Sequence, residues 1–177
     1  HLEVLGGKLR DDDGKVPPQL EKNLRAMREQ VTRLDVLLRQ FGDFLSTRAG
    51  VTDAVDLSEL VHRLLQVVSY AARSARVSIL AEIDRELWLQ DADRTGIAQL
   101  VMGLLLSCIR AAPQGAELSV RLSREPTGLT LEVALREGTL DPALGQDEAE
   151  LARTEATRIG VHFERDGQGG RAHFPPG

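Results

Sequence analysis

The chain has 177 residues, a net charge of −5, 42% hydrophobic residues and 3% aromatic residues, which suits one sizeable domain or a helical element with one compact domain. So few aromatics leave no platforms for stacking bases, and an acidic balance lacks the clustered Lys and Arg that phosphate backbones require, so no nucleic-acid partner is expected. A single cysteine, Cys108, rules out an internal disulfide and fits a reduced, cytoplasmic setting. The most apolar run, Ile97 to Ile109, falls short of the roughly 20 residues of a membrane span, and no membrane contact is expected of this segment.

The chain opens on His1 rather than Met and is expected to be a piece of a longer protein. Leu2, Leu5 and Leu9, with Val4 beside them, follow helical spacing, and Gly14, Pro17 and Pro18 then break the helix. Asp11, Asp12 and Asp13 in that break read as a solvated loop, because Gly14, Lys15 and the prolines spoil a calcium-loop pattern. Leu20, Leu24, Met27, Val31, Leu34, Leu38, Phe41 and Leu45 follow in steps of four and three. That spacing keeps one apolar seam facing one partner helix along its length, with charged residues between. It predicts the second arm of a helical hairpin. The first arm is too short to cover all eight seam positions, so upstream residues or a second copy of the chain must cover the rest. The dimer interface is therefore assigned to those eight residues. The helical part ends between Ser46 and Thr52, with a hinge near Ala49 to Val55, giving a hairpin over residues 1–50 and a second domain over 51–177.

Asp56 with Glu59 forms a capping pair, and Leu57, Leu60, Val61, Leu64, Leu65 and Val68 form the apolar face of a helix running to about Arg76. Val77 to Ile83 alternates as a strand, and Leu87 to Leu89 reads as a short second one. A helix apolar around most of its girth begins near Asp93 and is ended by Pro113 and Gly115. Glu117 to Ser123 and Leu129 to Leu135 form a hairpin across Pro126, Thr127 and Gly128. Arg136 to Gln146 is a loop, Glu148 to Ile159 a helix, and Val161 to Phe174 a closing hairpin. Strands paired between helices predict an α+β sandwich, with helices on one face of a mixed, mostly antiparallel sheet.

Arg33-Leu34-Asp35-Val36-Leu37-Leu38, then Asp56-Leu57-Ser58-Glu59-Leu60-Val61, then Leu87-Trp88-Leu89-Gln90-Asp91-Ala92-Asp93 before an apolar helix resemble, in order and spacing, the core of a sensor histidine kinase. The closing stretch from Arg158 to Phe174 resembles that family's final hairpin. The resemblance covers essentially the whole chain. It implies a dimerisation and phosphoacceptor hairpin, a four-helix bundle once dimerised, followed by a Bergerat (GHKL) type ATPase-like sandwich.

The chain departs from the family at its catalytic motifs. Gly103 and Ser107 stand where the family carries two Asn whose side chains hold Mg²⁺ and the phosphates. The strand ending Val133-Ala134-Leu135-Arg136-Glu137-Gly138 lacks the Asp and glycines of the adenine turn, and the lid is missing between Arg136 and Asp147. His1 lacks the phosphoacceptor box; register places the acceptor upstream, leaving His1 as a weak candidate. No ATP or Mg²⁺ is therefore expected unless the degenerate site works, and no catalytic residue is assigned. His62, His162 and His173 have no metal-ligand spacing around them, and Cys108 reads as a small core residue.

These features lead to a two-component signalling protein, a pseudokinase or histidine phosphotransferase that is a homodimer through its hairpin and docks a response-regulator receiver domain. A dimeric scaffold without phosphotransfer and an active kinase with an unorthodox nucleotide site are the alternatives.

Overall fold

The computed structural model describes residues 52–176, within the second of the two units into which the chain divides, His1–Thr47 and Arg48–Gly177. His1, the acidic loop and the eight seam positions lie outside the described residues.

Strand β1 (Thr52–Asp56) leads directly into helix α1 (Leu57–Ala75). Asp56 caps α1 by accepting the Glu59 backbone N–H at 3.2 Å, as the sequence predicts. The Glu59 carboxylate does not close a reciprocal capping box and instead pairs with Arg63 one turn on. Arg76 ends the helix in the left-handed region at φ 58°. The hinge expected near Ala49 to Val55 needs correction, because Thr52 to Asp56 is a strand. It pairs antiparallel with β3 (Trp88–Asp93), Val55 opposite Leu89 and Asp56 opposite Trp88. A strand whose partner lies over thirty residues away leaves no local pattern beyond one buried side chain, Val55. The second strand, expected over Leu87 to Leu89, starts one residue later and extends to Asp93.

The main sheet has five strands in the order β2-β4-β5-β7-β6: β2 (Ser78–Ile83), β4 (Glu117–Glu125), β5 (Gly128–Leu135), β6 (His162–Arg165) and β7 (Gly169–Phe174). Only the β2–β4 pair is parallel, so the sheet is mixed and mostly antiparallel as predicted. Alternation sends Leu118, Val120, Leu122, Leu129, Leu131, Val133, Ala172 and Phe174 into the core. Helices α2 (Arg94–Ala111) and α3 (Gln146–Ile159) complete the fold. Helix α2 is long and apolar enough to cross a membrane, but 72% of it is buried inside the domain. Its girth is apolar because the sheet, α1 and α3 all pack around it.

The opposite face of the sheet carries one row of charge across all five strands. Glu82 stands opposite Arg121, Arg121 opposite Glu132, Glu132 opposite Arg171, and Arg171 opposite Glu164. Arg121 donates to Glu82 at 2.9 Å and Arg171 to Glu132 at 2.6 Å. Alternating sign lets each cross-strand pair attract, so the row keeps the open face hydrated without like charges meeting.

Leu131 lies at the sheet centre with no exposed surface. Leu131→Ala is expected to destabilise the domain by about 2–5 kcal/mol through lost burial and the cavity left behind, read as a lowered urea midpoint with an unchanged m-value.

Candidate functional site

Helix α2 begins at Asp93, whose carboxylate accepts the N–H groups of Thr95 at 3.0 Å and Gly96 at 3.1 Å. The same carboxylate accepts Arg158 Nη1 from the end of α3 at 2.8 Å. At the other end of α2, Arg110 pairs with Glu148 in the first turn of α3 at 2.8 Å. The two helices thus run antiparallel and are tied at both ends. Burial pushes the Asp93 carboxyl up, but the Gly96 N–H and the Arg158 guanidinium outweigh it and hold the group below its ordinary value.

Gly103 and Ser107, the two positions the resemblance singles out, lie between these ties. A Cβ on Gly103 would meet the Glu148 carbonyl oxygen at 2.8 Å and the Ala152 Cβ at 3.0 Å. Ser107 is fully buried, and its hydroxyl donates to the Leu104 carbonyl at 2.8 Å. Gly145, at φ 68°, caps α3 against it: a Cβ there would collide with the Ser107 carbonyl oxygen, so the turn needs glycine for both conformation and space. The preceding loop is pinned, Leu140 N–H donating to the Gly167 carbonyl and Asp141 N–H to the Ala111 carbonyl, each at 2.8 Å.

A groove of ≈ 360 Å³ opens beside the Asp93–Arg158 pair, floored by Leu89, Ile97, Ile159 and Phe174. A smaller one of ≈ 240 Å³ lies between Leu140, Gln146, Arg153 and Arg165. Gly103 and Ser107 line neither.

No protein-family model matches the chain. The C4-dicarboxylate transport sensor protein DctS of Rhodobacter capsulatus is 30% identical over 126 residues, covering 65% of this chain and 19% of DctS. The signal transduction histidine-protein kinase AtoS of Escherichia coli strain K12 is 23% identical over 135 residues, covering 71% of this chain and 22% of AtoS. The chain spans about a fifth of the length of these relatives. The catalytic domain of the histidine kinase ThkA superposes with a TM-score of 0.57 at 17% identity, covering 71% of this chain and 99% of that domain. The described domain is histidine-kinase-like and has the fold of that family's catalytic domain.

Within this domain the remaining candidates fall into place. Cys108 is fully buried, and desolvation pushes its thiol up, so it is core packing as predicted. His62 is exposed, with Nδ1 at 2.9 Å from the Ser58 carbonyl. His173 bridges Thr130 Oγ1 at 3.0 Å and the Thr127 carbonyl at 3.1 Å. Among the described residues no three His, Cys, Asp or Glu side chains gather at metal-binding distance. The Asp93–Arg158 tie went unnoticed in the sequence. Its one local signal is the cap acceptor Asp93, since its partner lies 65 residues on.

Gly103→Leu is expected to destabilise the core by about 1–3 kcal/mol, because the backbone of α3 must move to admit the side chain; chemical denaturation reads the loss. Asp93 is depressed in the folded state, so its contribution is present above the unfolded-state value near pH 4 and lost as pH falls through the lower folded value. Asp93→Asn keeps a cap acceptor but removes the charge. It should flatten that part of the acid limb, measured as urea stability across roughly pH 5 to 2.

Proposed function

We propose that this chain is a two-component signalling protein of degenerate histidine-kinase type, which works by binding, and through an upstream acceptor by phosphotransfer, rather than by ATP-dependent autophosphorylation. The observation that carries this reading is the seating of α3 on Gly103 and Ser107. Mg²⁺ wants a near-octahedral shell of oxygens. Gly103 has no side-chain oxygen to offer, and the Ser107 hydroxyl is buried and already engaged. These residues do not fit a Mg²⁺–nucleotide, and Glu148, Ala152 and Gly145 occupy the space beside them.

The hairpin of residues 1–50 is then the dimerising element. Its seam, Leu20 through Leu45, packs against a second copy to form a four-helix bundle. The partner we assign to it is a response-regulator receiver domain. ThkA, whose fold this core shares, has been solved in complex with the response regulator protein TrrA. A docked receiver would hold its aspartyl phosphate in line with an acceptor His on the hairpin, and such positioning supplies most of what phosphotransfer needs.

Titration calorimetry of the chain with a non-hydrolysable ATP analogue and Mg²⁺, at millimolar nucleotide, is expected to give no binding heat. Restoring both side chains, Gly103→Asn with Ser107→Asn, is expected to lower stability without creating binding, because α3 stands in the way. Saturable heat from the unmodified chain would return it to the active kinases.

A further inference from the structure

The two edges of the main sheet differ. Strand β6 is four residues long and carries His162, Glu164 and Arg165, the short, charged design that discourages edge pairing. Strand β2 has the sequence Ser-Ile-Leu-Ala-Glu-Ile, with no Lys or Pro. Among the described residues no strand pairs with its outer edge. Leu80 is 42% exposed there, on the face otherwise occupied by the charge row.

The direction of the free backbone groups follows from two hydrogen bonds at the ends of β2. Ser78 N–H donates to the Ala116 carbonyl at 2.9 Å and Asp84 N–H to the Leu122 carbonyl at 3.0 Å. With a period of two, even-numbered residues turn their polar groups toward β4, and Ile79, Ala81 and Ile83 turn theirs outward.

We propose that β2 is a homotypic interface: two copies of this chain pair antiparallel through it about a two-fold axis at Leu80, joining their five-stranded sheets edge to edge. Leu80 then meets Leu80 of the second copy in a non-hydrogen-bonded pair, where side chains approach most closely, while Ile79 meets Ala81 in hydrogen-bonded pairs on either side. Large opposes small on the helix face. On the open face Ser78 stands opposite Glu82 on either side of the axis, a hydroxyl facing a carboxylate. Competing registers are worse. Centring on Glu82 sets it against its own copy, and centring on Ala81 sets Leu80 against Glu82. An isologous contact of this kind closes on itself and leaves no further β2 edge to recruit a third chain.

The proposal does not rest on the loss of ATP binding, and cysteine cross-linking of the full chain tests it. Leu80→Cys places two thiols across the axis at Cα separations of about 4.5–5.5 Å, within disulfide reach. Ser78→Cys is equally superficial, but its own copy lies about 13 Å away in this register. Cys108 is fully buried and stays out of the reaction. Under mild oxidation Leu80→Cys is expected to form covalent dimer on the order of tenfold faster than Ser78→Cys. The pair Ser78→Cys with Glu82→Cys should match Leu80→Cys, while Glu82→Cys alone stays slow. Dimerisation elsewhere in the chain raises all these rates alike, so the comparison reads the β2 edge. Equal rates at residues 78 and 80, or a double variant no faster than its parents, would overturn the pairing. So would purified chain that stays monomeric on oxidation at residue 80, the result expected if this edge instead takes a segment of another protein.

Discussion

Helices α2 and α3 meet along residues too small to hold them apart. Gly96, Gly103 and Ser107 on one side face Ala149, Ala152 and Ala156 on the other, all of them buried. Close approach converts backbone into contact surface and gains dispersion across the whole seam. It also leaves no slack, since even a methyl group at Gly103 would press on a carbonyl of the facing helix. The Asp93–Arg158 and Arg110–Glu148 pairs close the seam at its ends. Arg158 and Arg110 are about half and two-thirds exposed, so each pair is worth little as an isolated ion pair. Their value lies in register: with both ends tied, α3 cannot slide along α2 without breaking one of them.

The sheet reflects that arrangement. One face must be apolar because α2 lies on it, and Leu104 sits directly over Gly170, where a Cβ would come within 2.5 Å of its methyl group. The other face is left to water, and there the chain uses charge rather than small polar residues. A row that alternates Glu, Arg, Glu, Arg, Glu across the strands is satisfied at every interior position but ends on a carboxylate at each edge. Leu80, two residues from Glu82 on the same face, is the one large apolar side chain in β2 that the row does not explain.

Most of the elements were legible in the sequence because their signals are local. Asp56 before Leu57 and Asp93 before an apolar run are cap chemistry, Thr127-Gly128 is turn chemistry, and the alternation of β4 and β5 reports one buried face. Strand β1 was not legible: its pairing with β3 is long-range, and five residues after a helix-like stretch look like a linker. For the site, the sequence pointed to Gly103 and Ser107 as places where ligand atoms are missing. It could not say what occupies the space instead, because that depends on α3, whose small residues read only as a weak amphipathic helix. The antiparallel fit of Gly103 to Ala152 is a property of two segments and belongs to neither alone.

That fit joins what otherwise look like separate departures from the kinase pattern. An asparagine side chain at position 103 would need the volume now filled by the Glu148 carbonyl and Ala152. A long, mobile lid would need the slack that Leu140 and Asp141 give up in bonding to the Gly167 and Ala111 carbonyls. An Asn at position 103 would force the helices apart, and parting them would break both end ties and expose Ala149 and Ala152. In the reading proposed here, then, the small side chains and the short loop are one coupled change. Once the helices close, a side chain restored at position 103 alone meets the facing helix and strains the seam.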